Sequence, residues 1–120
     1  MRIIRFDAEV GKGIDRYGSA NVSRSRIAQL IADADISCMH FNPQGVIGFH
    51  QAVTPQLLLV VAGSGWARGD SNERVPVSAG QAAFWEKDEW HESGSESGMT
   101  AIVIEGASVN LPESASTMSG

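Results

Sequence analysis

A chain of 120 residues has the length of one ordinary domain, and folding at this size buries roughly two-thirds of the surface that the unfolded chain exposes, enough for one hydrophobic core. The net charge is −5 and no run of Lys and Arg exists to displace counterions, which disfavours nucleic acid as a partner. No stretch approaches the roughly 20 apolar residues that span a bilayer, and "MRIIRFDAEV" has too short an apolar run for a secretory leader, so the expectation is a cytoplasmic protein without a membrane partner.

In chain order, short runs rich in Val, Ile, Phe and Trp are divided by glycine and proline turns, the pattern of an all-β domain. The predicted strands are "RIIRF" (2–6), "DISCMHF" (35–41), "VIGFHQAV" (46–53), "QLLLVVA" (56–62), "GWARG" (65–69), "RVPV" (74–77), "QAAFW" (81–85) and "MTAIVIE" (99–105). Turn signals between them are "NPQG", "GSG", "GDSNE", "SAG" and "SGSESG". Such spacing predicts a sandwich or barrel rather than crossover units. In "SRSRIAQLIADAD", Ile27, Leu30, Ile31 and Ala34 fall at helical spacing behind a Ser23 or Ser25 cap, but a strand from about 24 to 31 is the preferred reading. The domain is expected to run from 1 to 110, and the tail 111–120, poor in large apolar residues, is expected to be mobile. Cys38 is the sole cysteine, so no internal disulfide forms, and it reads as a buried apolar thiol.

Two glycine-bounded segments carry the chemistry. Side chains two apart on a strand share a face, so His50 and Ala52 point the same way, and Pro55 ends that ladder before Gln56 opens the next run. The second segment, "GQAAFWEKDEWHESGS", reaches His91 after a strand and a charged turn, so two histidines lie at the ends of strand segments that can face each other.

These segments resemble the two motifs of the cupin superfamily. The first overlays Gly45, His50, Ala52, Gln56 and Gly63, with four residues in place of five before the first histidine. The second overlays Gly80, Glu86, Asp88, His91 and Ser95 without a gap. "HQA", "QLLLVVAGSGW", "AAFWEKDEWHE" and "MTAIVIEG" are similar to a widespread set of small single-domain bacterial cupins. The resemblance implies a cupin-type jelly-roll barrel, the double-stranded β-helix, with a divalent ion (Fe, Mn, Ni or Zn) held by two histidines and a glutamate of the first motif and the histidine of the second. Here Ala52 replaces the second histidine and Gln56 the glutamate, so His50, Gln56 and His91 are the metal ligands that remain conceivable. Loss of a ligand and of an anion weakens such a site by several kcal/mol against the roughly 10 to 16 kcal/mol of complete zinc sites, leaving the ion weakly bound or absent.

Read without a metal, His50 and His91 are satisfied polar groups of a pocket wall, with Gln56 fixing an imidazole tautomer. His40 could supply a further nitrogen if its face of the strand points inward, and Trp66 and Trp85 could form the pocket's apolar wall. Glu86, Asp88, Glu89 and Glu92 read as a solvated turn whose charge favours the imidazolium of His91. The run "LLLVV" reads as a strand covered on both faces, which implies burial by a partner subunit in a homodimer. The expected function is binding of a small organic molecule in a pocket lined by His50, Gln56 and His91. The alternatives are a metal-dependent oxygenase or isomerase on the same residues, and metal-free acid–base chemistry by either histidine.

Overall fold

The computed structural model describes residues 1–21, 23–28, 30, 32–112, 116 and 117. Among these residues ten strands form: β1 (Arg2–Arg5), β2 (Lys12–Gly13), β3 (Ser23–Arg24), β4 (Asp35–Phe41), β5 (Gly45–Gln51), β6 (Gln56–Arg68), β7 (Val75–Ser78), β8 (Gln81–Trp85), β9 (Trp90–Ser95) and β10 (Met99–Glu105). Every pairing is antiparallel. No helix of the described residues is long and apolar enough to cross a membrane.

β6 organises the barrel because it belongs to two sheets. Its first half pairs with β8 on one side and β10 on the other, inside the order β1-β8-β6-β10-β4. Its second half pairs with β7 and β9, and β9 continues to β5. The "GSG" segment, predicted as a turn, is instead the interior of this 13-residue strand. Gly63 sits there with φ 78°, and a Cβ on it would lie 2.4 Å from the carbonyl oxygen of Gly98, so only glycine lets β6 pass β10 at this point.

The two-residue period then separates two cores. Leu58, Val60, Ala83, Trp85, Ala101 and Val103 point into the barrel and pack with Phe41, Ala67, Val77 and Met99. Leu57, Leu59, Ala82 and Phe84 point outward and pack with Ile4 and Val109. The run "LLLVV" is therefore covered on both faces, but the cover is the chain's own. Ile27, Ala28, Leu30, Ala34 and Leu111 pack on the outer cluster, leaving Leu57 and Leu59 buried without a second subunit.

The strand expected from about 24 to 31 is a correction. Among the described residues of this stretch only Ser23 and Arg24 are strand, paired with β2, and residues 25–28 and 30 lie in no strand, because the apolar side chains of Ile27, Ala28 and Leu30 close the outer core rather than extend a ladder. Gln29 and Ile31 lie outside the described residues. Of the tail, the backbone N–H of Arg5 donates to the carbonyl of Ser116 at 2.9 Å and Thr117 bridges Ile4; residues 113–115 and 118–120 lie outside the described residues. Cys38 is exposed rather than buried, since it shares the outward side of the edge strand β4 with Ile36 and His40.

Strand β9 was not foreseen, because its inward column is polar. His91, Ser93 and Ser95 are each buried where a hydrophobic alternation would be expected. The serine hydroxyl at 95 donates to the Ser64 carbonyl at 2.6 Å and accepts from the Gly98 N–H at 2.8 Å, which satisfies it away from water.

Candidate functional site

β5 and β9 bring the two histidines together. His50 and His91 are direct Cα partners in the antiparallel ladder, and their ring centroids lie 4.3 Å apart. A register shift between Ile47 and His50 makes this possible. Ile47 packs into the barrel, and the extra residue of the bulge turns Phe49 outward onto Trp90 while returning His50 to the inward side. Below His91 lies Trp85, with a centroid distance of 4.6 Å, fully buried and donating its indole N–H to the Arg68 carbonyl at 3.1 Å. Three rings thus descend from an exposed His50 through a buried His91 to the barrel core.

Backbone carbonyls fix the proton positions. A carbonyl only accepts, so the contact of His50 Nδ1 with the Gly48 oxygen at 2.6 Å puts the proton on that nitrogen. His91 Nδ1 likewise donates, over 3.5 Å, to the Glu89 oxygen. Each neutral ring then carries its lone pair on Nε2. The Nε2 of His91 is buried and has no hydrogen-bond partner, whereas over nine in ten buried polar groups have one.

His91 titrates below its ordinary value of 6.5, first because burial penalises the imidazolium and second because His50 lies beside it. Glu89 opposes this and is outweighed. The pull of the acidic turn toward a charged His91 is therefore present through Glu89, but the net shift is opposite to the one expected because burial and His50 outweigh it. The carboxylates of the turn are also engaged elsewhere: Glu89 receives the Glu86 N–H at 3.1 Å and the α-ammonium of Met1, and Glu92 pairs with Arg68 at 2.8 Å. Both carboxylates are occupied by other groups.

The remaining predicted site residues divide. Gln56 is the Cα partner of Trp85 and shares the inward parity of Leu58 and Val60, yet the hydrogen bonds that orient the imidazoles come from Gly48 and Glu89, so the tautomer-fixing role belongs to backbone rather than to Gln56. His40 is the partner of Thr100 and lies on the face of β4 opposite Met39 and Phe41, which pack inside the barrel; the structure does not bring it to the pair. Trp66 turns to the outer face of β6, over Gly94, where the Arg74 guanidinium stacks on its ring at 3.8 Å. The carbonyls of Gly48 and Glu89 were missed in the sequence, since a main-chain acceptor leaves no signature in residue identity.

A divalent metal fits this set poorly. Ala52 is buried where the motif has its second histidine, Gln56 offers a neutral amide in place of a carboxylate, and no group of three or more His, Cys, Asp or Glu able to hold a metal occurs among the described residues. Two imidazoles without an anion leave most of the ion's charge and coordination unsatisfied.

No protein-family model and no curated protein matches the chain. Solved structures do. A conserved protein with a double-stranded β-helix domain from Klebsiella pneumoniae superposes with a TM-score of 0.58 at 16% identity, covering 72% of each chain. A cupin-2 domain protein from Shewanella frigidimarina gives a TM-score of 0.53 at 15% identity, over 65% of this chain and 78% of its own. A predicted oxalate decarboxylase from Thermotoga maritima gives 0.54 at 18%, over 64% and 65%. With antiparallel sheets closed around one inward core, the chain has the double-stranded β-helix fold that these structures share.

Proposed function

We propose that this cupin barrel binds a small organic molecule that donates a hydrogen bond to the paired histidines at the rim of β5 and β9. The observation that carries the reading is the buried, unpartnered Nε2 of His91. A lone pair held away from water costs free energy on the order of 1–3 kcal/mol unless something donates to it. His91 is neutral at pH 7, so its Nε2 accepts, and a hydroxyl, amide or protonated acid of the ligand would supply the missing proton. His50, exposed and seated on His91, stands between that nitrogen's ring and solvent. Trp85 backs the His91 ring from the core side, and Gln56, on the same inward face, offers a second polar group.

The test is a thermal-shift screen of small hydroxy- and carboxy-compounds against the protein and against His91→Phe, which keeps a ring of similar size and removes the nitrogen. A compound that stabilises the protein and not the variant is the expected result. Equal stabilisation of both sinks the reading, as does reproducible turnover of a bound compound. Metal content of the purified protein is measured alongside, and a stoichiometric transition metal lost in His50→Ala would replace this reading with metal-dependent chemistry on the same residues.

A further inference from the structure

At the opposite end of the sequence, positive charge gathers in a way that the net charge of −5 conceals. Lys12 and Arg24 are direct cross-strand partners in the two-residue ladder of β2 and β3, an arrangement in which like charges repel and destabilise the pair. Arg26 and Arg16 join them around a hollow of about 400 Å³, and a second hollow of about 220 Å³ shares Lys12, Arg24 and Arg26 with the first. Among the described residues none of these four cations forms an ion pair. Asp15 is the single carboxylate in either lining. The nearby Asp7 and Glu9 are engaged by Arg5 at 3.0 Å. Beside the cations stands Tyr17, 92% exposed and held at φ 61°, a left-handed conformation that a bulky side chain adopts at a cost, with the Arg16 guanidinium 5.8 Å from its ring centroid.

We propose that this hairpin is a second binding site, which takes a compact phosphate-bearing small molecule whose organic part lies on Tyr17. Arg and Lys supply the forked and point-charge donors that a phosphate dianion uses, and a bound dianion turns the repulsion between Lys12 and Arg24 into a shared attraction. The hollows are of small-molecule size. The chain's overall negative charge opposes an extended polyanion, whereas a single phosphate group feels chiefly the cations within a few ångströms of it, since charges beyond a Debye length of about 10 Å are screened at about 0.1 M salt. The site stands apart from the histidine pair and does not depend on it.

Calorimetric titration with inorganic phosphate and pyrophosphate at low ionic strength tests it. The expected result is saturable binding that weakens at least about tenfold in Arg24→Gln and in Arg26→Gln and is unchanged in Lys87→Gln, a cation on another surface. Thermal melting supplies a second readout. Without ligand, Arg24→Gln melts no lower than the parent, since one member of a repelling pair is gone, and pyrophosphate raises the melting temperature of the parent and of Lys87→Gln well above its effect on Arg24→Gln. Non-saturable binding, an equal loss in Lys87→Gln, or a lower melt of unliganded Arg24→Gln with unchanged affinity overturns the proposal. So does a short single-stranded oligonucleotide that binds far more tightly than pyrophosphate, since the site would then belong to a polymer.

Discussion

The two sheets that share β6 are built to opposite rules. At the centre of β1-β8-β6-β10-β4 both faces are apolar, with Leu58, Val60 and Ala83 packed inside and Leu57, Leu59 and Ala82 packed outside. In β5-β9-β6-β7 the inward column of β9 is His91, Ser93 and Ser95, and the outer face shows Phe49 and Trp90 to solvent, with Arg68 stacked on Phe49 at 4.0 Å. The first sheet holds the barrel together through burial, while the second carries polar groups whose presence weakens the fold and equips it to bind.

Substitutions at matched depth in the two sheets should therefore have opposite signs. Leu58→Ala removes a fully buried side chain from the inner core and is expected to cost about 2–5 kcal/mol, seen as a fall in melting temperature of about 10 °C or more. His91→Phe is expected to raise stability by about 1 kcal/mol, since it deletes an unpaired buried acceptor and keeps the ring between His50 and Trp85. If that variant instead melts several degrees below the parent, His91 is a structural residue and the contrast between the sheets disappears.

Acid sharpens the contrast further. The folded-state pKa of His91 lies below 6.5, so the unfolded chain takes up that proton first as the pH falls. His91 leaves stability unchanged above its ordinary pKa and erodes it progressively below, until the folded state is protonated as well. Chemical denaturation followed at several pH values between 5 and 8 should show this slope in the parent, and His91→Phe should lack its share. The smallest effect is expected on the outer face, where Arg74→Gln removes the guanidinium over Trp66 and should cost about 0.5 kcal/mol, read as a slight shift of the denaturation midpoint.

How far the molecule could be read from its sequence follows the same division. β4, β8 and β10 lie where alternation or continuous burial marks them, because hydrophobic pattern reports directly on cores. β9 carries serine and glycine at its inward and outward positions, so its pattern imitates a turn, and the "GSG" in β6 does the same for another reason: close backbone approach at Gly63. The meeting of His50 and His91 was legible from motif spacing. The side of the sheet that His40 takes was not, since one step of register reverses a strand's faces. The like-charged hairpin was hidden by a net charge that averages over the chain.

One continuous strand at the heart of both sheets has a consequence for motion. The barrel cannot part as a clamshell, because the line of separation would run across β6 itself. The two halves should therefore exchange their slowest amide hydrogens as one cooperative unit, and a compound seated on β9 should retard exchange in β10, the next strand along the same edge of β6.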